Sequence, residues 1–111
     1  MEFSRSQKIS RFIQKELSEV FLHETQNNFR GLIISVTHVF VSKDISSAKV
    51  YLSFFPTNKK SQFLEVIKER KSIIKNSFCM RTKGQLKKTP ELYFYLDKSI
   101  DHYEEIDNLL R

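Results

Sequence analysis

Apolar residues recur every three or four positions over roughly the first twenty residues of the chain. The positions that share one side of a helix in this way are Ile9, Ile13, Leu17 and Val20. Ser4 precedes Gln7 by three residues, the spacing of a capping box that satisfies free N–H groups at a helix start. The pattern therefore predicts a helix from Ser4 to about His23.

Two segments in the middle of the chain follow a period of two instead. Residues 32–42 are rich in Ile, Val and Thr, and residues 48–54 have an apolar side chain at every second position. Residues 43–46 form a short polar connection between the two segments. This arrangement is typical of an antiparallel β-hairpin.

The alternation of the first predicted strand breaks in the middle. Val36 and Val39 are both apolar but are three positions apart, so a regular strand would point them to opposite faces. Either this strand is buried on both sides, or a β-bulge near Thr37 and His38 shifts its register. We favour the bulge, because one sheet in a chain this small rarely has cover on both faces.

A third strand is predicted in the stretch KTPELYFYLDKS, residues 88–99. Leu92, Phe94 and Leu96 alternate with tyrosines, so one face of this strand is expected to point into the core. Pro90 lies at the strand start, where its missing N–H does little harm.

Two helices are predicted between the hairpin and this third strand. The first spans about 59–71 with Asn58 as its N-cap, and the second spans about 73–83. Ser72 is placed at the junction because the apolar phase changes there. Gly84 fits the cap at the end of the second helix.

The end of the chain predicts an acidic helix that starts at Ser99, and residues 97–111 carry a net charge of −3. The complete order predicts an α+β fold, α-β-β-α-α-β with a C-terminal helix, whose helices pack on one face of a three-stranded sheet. A length of 111 residues predicts a single domain over 1–111.

Positive charge is concentrated in one part of the chain. The net charge is +6, but residues 68–88 alone carry +7, so the remaining ninety residues sum to −1. In that segment Glu69 is the single acidic residue. The basic residues are Lys68, Arg70, Lys71, Lys75, Arg81, Lys83, Lys87 and Lys88. Because like charges repel in the folded state, this concentration favours an anionic partner.

No catalytic or metal-binding constellation is found in the sequence. His23, His38 and His102 fall on different predicted elements, and none has ligand spacing with Cys79 or a carboxylate. Two glycines are too few for a glycine-rich loop that cradles phosphate. We therefore expect a protein that is not an enzyme and needs no metal, cofactor or small-molecule substrate.

The composition also bears on the compartment. No apolar run approaches the roughly 20 residues that span a bilayer, and the first ten residues lack the apolar stretch of a secretory signal. A single cysteine cannot form an internal disulfide, which favours a reducing compartment. We expect a cytoplasmic protein with no membrane partner.

Three stretches of the sequence carry a resemblance to a known family. They are the N-terminal positions Arg5, Lys8, Ile9, Ile13 and Leu17, then VTHVFVSKDISSAKVYLSF at 36–54, then TPELYFYLDKS at 89–99. In this order and at these separations they resemble ribosome-binding factor A, a family of small bacterial proteins that assist maturation of the small ribosomal subunit.

The resemblance implies a fold like a type II K-homology domain and a specific partner. That fold usually has a Gly-x-x-Gly loop between its paired helices, which clamps nucleic-acid backbone, and this family has an Ala-x-Gly kink there. Here the sequence reads Arg70-Lys71-Ser72, which shifts the expected recognition toward charge. The implied partner is the small ribosomal subunit with its ribosomal RNA, near the neck and decoding region, bound by a monomer during late maturation and rRNA processing.

Electrostatic binding to ribosomal RNA gives the basic residues their expected role, because Lys and Arg neutralise phosphates. The main candidates are Lys68, Arg70, Lys71, Lys75, Arg81 and Lys83. A stripe on the first helix is the second candidate patch, and it consists of Arg5, Lys8, Arg11 and Lys15. Lys87 and Lys88 have two interpretations: they belong to the same nucleic-acid face, or they anchor the loop before the third strand.

Two other functions stay open at this point. The chain is a protein-interaction adaptor if its acidic last helix and apolar strand edges carry the function, or a general K-homology RNA binder outside the ribosome. The tyrosines at positions 51, 93 and 95 also have two interpretations: they stack on RNA bases, or they pair across strands, which we favour.

Overall fold

A computed structural model of the chain describes residues 4–98, in which helices pack on one face of a three-stranded sheet. The elements are α1 (Arg5–Asn27), β1 (Ile33–Val41), β2 (Ser47–Phe55), α2 (Lys60–Glu69), α3 (Lys71–Arg81) and β3 (Glu91–Leu96). The predicted α+β class and the order of these six elements are confirmed. The predicted C-terminal helix lies outside the described residues, and the single domain over 1–111 stays a prediction.

Helix α1 begins at the predicted capping box. The Ser4 hydroxyl oxygen accepts a hydrogen bond from the Gln7 backbone N–H at 3.3 Å, and the Gln7 amide oxygen accepts one from the Ser4 N–H at 3.0 Å. The helix buries Ile13, Leu17, Val20 and Phe21. It extends beyond the predicted end at His23 because Glu24 and Thr25 also face the interior.

The predicted bulge in β1 is confirmed, and Thr37 is the extra residue. The register of β1 against β2 shifts between Val36 and His38. The side-chain amide of Gln14 on α1 donates hydrogen bonds to the carbonyl oxygens of Val36 and Thr37, at 3.0 and 3.2 Å. The bulge therefore lets apolar residues on both sides of it point toward the helices.

Strand β3 lies parallel to β2 at one edge of the sheet, whose order is β1-β2-β3. Leu92 and Phe94 are buried while Tyr93 and Tyr95 are exposed, as the period of two predicted. Phe94 packs edge-on against Phe21 of α1, with the ring centres 6.0 Å apart. The tyrosines consequently lie on the face of the sheet that α1, α2 and α3 leave open.

The boundaries of α2 and α3 differ from the prediction in three places. The junction is Arg70 and not Ser72, because it is the backbone of Arg70 that leaves the helical conformation, at φ −90° and ψ 10°. Asn58 is not the N-cap of α2, since that helix starts one residue later and its cap position makes no side-chain hydrogen bond. Gly84 has a φ of +83° in the turn after α3, but the C-cap itself is Thr82.

Candidate nucleic-acid interface

The α2–α3 junction is tied to the end of α1 by an ion pair. The guanidinium of Arg70 donates two hydrogen bonds to the Glu24 carboxylate, Nε to Oε2 at 2.9 Å and Nη2 to Oε1 at 3.3 Å. A bidentate contact of this kind fixes the relative orientation of the two groups in addition to pairing their charges. The Glu24 side chain is only 11% exposed, so Arg70 compensates a carboxylate that water reaches poorly. Arg70 therefore positions the junction besides carrying charge.

Two other predicted cations share one glutamate at the start of β3. The ammonium groups of Lys71 and Lys75 lie 2.7 and 2.9 Å from the two carboxylate oxygens of Glu91. Hydrogen bonds from Lys71 first and Lys75 second lower the pKa of Glu91 from 4.5 to about 2. These contacts join the first two turns of α3 to the edge strand.

The remaining predicted cations of this segment have different surroundings. Arg81 lies 3.0 Å from Glu16 of α1, and Lys68 lies 3.5 Å from Glu65 one turn earlier in α2. Lys83 is exposed, and no ion pair for it is present among residues 4–98.

The charge of the α2–α3 segment is thus largely compensated by folding. Within the sequence, only Glu69 opposes eight basic residues between positions 68 and 88. In the structure, glutamates from α1, α2 and β3 lie against five of the six predicted cations. The net field of this face is therefore much weaker than the linear sequence indicates, although these basic side chains keep part of their surface in water.

A groove lies between the α2–α3 region and β3. Its cavity of about 310 Å³ is lined by Lys68, Lys71, Leu92, Tyr93, Phe94 and Tyr95. The ammonium of Lys71 lies 4.8 Å from the centre of the Tyr93 ring, within the range of a cation–π contact. Tyr93 is 46% exposed. An exposed ring beside the Lys71 ammonium offers a stacking surface for a base and charge for its phosphate.

The other two tyrosines pair across strands, as the favoured interpretation predicted. Tyr51 of β2 stacks on Tyr95 of β3 with ring centres 5.4 Å apart, and Phe40 of β1 meets Tyr51 edge-on at 5.8 Å. Tyr93 differs from them because its ring faces the Lys71 ammonium. The sequence does not reveal this distinction. The alternation of β3 predicts only that Tyr93 and Tyr95 point to the same face of the sheet.

The predicted patch on α1 is divided by the fold. Arg5 and Lys8 line a cleft of about 530 Å³ together with three lysines that are not among the ten candidate RNA contacts: Lys43, Lys87 and Lys88. Arg11 and Lys15 lie further along α1, outside the lining of this cleft. The three added lysines come from two loops, and their proximity to α1 has no signal in the sequence.

Other chemistry is limited in the part of the chain that the structure covers. Within it, no group of three or more His, Cys, Asp or Glu side chains is placed to hold a metal ion. No helix between residues 4 and 98 has the length and apolar character needed to cross a membrane. The thiol of Cys79 is half-buried and lies 3.4 Å from the Thr89 hydroxyl.

The order α-β-β-α-α-β, with the last strand parallel to the second, defines a type II K-homology-like domain with basic paired helices. A model of one family, ribosome-binding factor A, matches residues 5–110 of the chain. The chain therefore belongs to the ribosome-binding factor A family, and the resemblance drawn from three sequence stretches is confirmed.

Individual relatives agree with this assignment. Ribosome-binding factor A of Flavobacterium psychrophilum is 43% identical over 111 residues, which cover 99% of this chain and 85% of the relative. The Caldicellulosiruptor bescii protein of the same name is 34% identical over 113 aligned residues, covering 99% of this chain and 84% of the relative.

Solved structures share the fold. The crystal structure of ribosome-binding factor A from Thermus thermophilus superposes with a TM-score of 0.65 at 18% identity, over 84% of this chain and 97% of that one. A homology model of the Thermus thermophilus factor, fitted into the cryo-EM map of a 30S complex, gives a TM-score of 0.62 at 21% identity, over 80% of this chain and 91% of that one.

Proposed function

We propose that this chain is an assembly factor that binds the small ribosomal subunit through its ribosomal RNA during late maturation and rRNA processing. The observation that carries this conclusion is membership of the ribosome-binding factor A family over residues 5–110. A relative of the same fold is described in a complex with the 30S subunit, which supports the choice of partner. The protein acts in the cytoplasm by binding and performs no catalysis.

The groove beside β3 is the proposed point of RNA contact on the paired-helix face. Lys68 and Lys71 lie on one side of it and the exposed ring of Tyr93 on the other. Lys75 pairs with the second carboxylate oxygen of Glu91. Lys71 is therefore able to turn toward a phosphate while the Glu91 carboxylate stays paired with Lys75. A phosphate that replaces part of an ion pair gains a charge-assisted hydrogen bond in return.

The other predicted cations take supporting roles in this proposal. Lys83 offers an exposed ammonium at the end of α3. Arg70, Lys75 and Arg81 each hold a glutamate, and their exposed edges add to the positive field around the groove. The proposed RNA contacts of this face are therefore Lys68, Arg70, Lys71, Lys75, Arg81 and Lys83.

Binding to purified small subunits at increasing salt concentration tests the proposal. If four to six phosphate contacts form, the logarithm of the affinity falls against the logarithm of salt with a slope of about −3 to −5. Lys71→Gln lowers the steepness of that slope, whereas Lys59→Gln, on the loop before α2, leaves it unchanged.

Two controls separate this function from its alternatives. A slope near zero, or capture of a protein from an RNA-free lysate in preference to the subunit, identifies an adaptor. Equal competition by an unrelated structured RNA identifies a general RNA binder outside the ribosome.

A further inference from the structure

A second cationic surface lies at the N-terminal end of α1, and it differs from the paired-helix face in how its charges are arranged. Its cleft of about 530 Å³ is built by three segments that are remote in sequence. The first turns of α1 contribute Arg5 and Lys8, the β1–β2 turn contributes Lys43, and the loop between α3 and β3 contributes Lys87 and Lys88. From these observations we propose that the cleft binds the phosphate backbone of RNA as a second contact, separate from the α2–α3 junction. This inference relies on the proposed function for the class of partner.

Within residues 4–98, no acidic side chain compensates the five cations of the cleft. Among residues 4–98, no ion pair or hydrogen bond of these side chains to an acidic residue is found. The cleft contains one acidic residue, Asp44, so its lining carries a net charge of +4. On the paired-helix face, by contrast, five of the six predicted cations lie against glutamates.

The acidic residue of the cleft is already engaged by hydroxyl and backbone groups. One carboxylate oxygen of Asp44 accepts hydrogen bonds from the hydroxyls of Ser46 and Ser42 at 2.7 and 2.8 Å, and from the Ser46 N–H at 3.2 Å. The hydrogen bonds from Ser46 and then Ser42 lower the pKa of Asp44 to about 2. Asp44 therefore shapes the turn that presents Lys43 and forms no ion pair with it.

Apolar contacts and a backbone hydrogen bond hold the three segments together. Ile9 of α1 and Leu86 of the α3–β3 loop are half-buried and pack against the hydrophobic core at the floor of the cleft. The Glu91 N–H donates a hydrogen bond to the Ser46 carbonyl at 2.9 Å, which ties the start of β3 to the β1–β2 turn. Leu86 thus anchors the loop, and the exposure of Lys87 and Lys88 favours the interpretation that they belong to a nucleic-acid face.

The chemistry of the cleft fits a polyanion better than a small phosphate compound. All five cations are exposed lysine or arginine side chains on its rim, and a small ligand would leave most of them unpaired. A chain of phosphates satisfies several at once and releases its counterions on binding. The positive end of the α1 dipole adds to the same field.

The cleft and the junction are far enough apart to be separate contacts. Arg70 binds Glu24, and Arg5 precedes Glu24 by nineteen residues of one continuous helix. At ~1.5 Å per residue the two ends of that span are about 28 Å apart. The protein consequently contacts RNA near both ends of α1.

A charge-matched pair of double variants tests the cleft. Lys43→Gln/Lys88→Gln removes two charges from it, and Lys59→Gln/Lys98→Gln removes two exposed charges beyond the far ends of β2 and β3. In binding to small subunits, the cleft variant is expected to make the salt slope shallower by about 1.4–1.8, and the control variant leaves it unchanged.

Lysine footprinting is an independent measurement. It uses the protein without substitutions, so an effect of a substitution on folding cannot influence the result. Acetylation of Lys43, Lys87 and Lys88, followed by mass spectrometry, is expected to slow severalfold when subunits are present, while Lys59 reacts at the same rate. Equal salt slopes for both double variants, together with acetylation of Lys43 and Lys88 that subunits do not slow, would overturn the proposal that the cleft binds RNA. The proposed function would be unaffected by that result.

Failure of the unmodified protein to bind subunits overturns the proposed function instead. The same two double variants are then compared on single-stranded and duplex RNA. Equal salt slopes there also overturn the cleft, whereas a shallower slope for Lys43→Gln/Lys88→Gln supports it. Inorganic phosphate serves as the small-anion control and is not expected to compete at millimolar concentration.

Discussion

Arg70 and Glu24 form a two-point ion pair that joins the α2–α3 junction to the last turn of α1, with contacts of 2.9 and 3.3 Å. Arg70, the residue between the paired helices, therefore contacts a third helix. The positive charge of Arg70 neutralises the Glu24 carboxylate, and only its remaining exposed surface is available to a partner. This changes what a substitution at Arg70 is expected to do.

Arg70→Met is expected to destabilise the protein by about 1–3 kcal/mol. The substitution keeps much of the side-chain volume but leaves the poorly hydrated Glu24 carboxylate without its partner. Urea denaturation measures the change, and Arg70→Met/Glu24→Gln is expected to recover part of the loss because the orphaned charge is gone. An unaltered free energy of unfolding in Arg70→Met would show that the pair contributes nothing.

Phe94→Ala is expected to cost about 3–5 kcal/mol of unfolding free energy, since it removes a ring that is 4% exposed and packed against Phe21. Phe55→Ala is the matched control, because that ring is 66% exposed at the end of β2. Both are measured by urea denaturation. Similar losses in the two variants would contradict the placement of Phe94 in the core.

The ion pairs of Glu91 predict a specific acid dependence of stability. Because Lys71 and Lys75 lower the pKa of Glu91 in the folded protein from 4.5 to about 2, the unfolded state takes up this proton first as pH falls. The stabilisation is present above pH 4.5 and is lost between about pH 4.5 and 2. Urea midpoints across that range are expected to decline less steeply for Glu91→Gln, and parallel curves would argue against the pairing.

Tyr93→Leu is expected to weaken binding to small subunits by about 5- to 150-fold if one base stacks on the ring, equivalent to ~1–3 kcal/mol. The salt slope is expected to stay the same, since no charge is removed. Phe40→Leu is the control, because Phe40 is exposed on the same sheet face but lies outside the groove. A change in the salt slope without a loss of affinity would show that the groove contributes through charge and that no base stacks on Tyr93.

The sequence predicted most of the fold because the signals were local. The spacing of Ser4 and Gln7 located the start of α1, and the broken alternation around Thr37 located the bulge. The caps of α2 and α3 and the junction between these helices were less predictable. Arg70 is the junction because of where the two helices pack, and no residue type marks that position.

By itself the sequence determined the order of elements, the apolar face of each and the family, since these depend on spacing along the chain. Only the tertiary structure decided which cations keep their charge available. Pairing is set by distance in space, and Glu16, Glu24 and Glu91 reach their basic partners from other elements. The same folding step brought Lys43 and Lys88 beside Arg5, in a cleft whose positive charge remains uncompensated among the described residues.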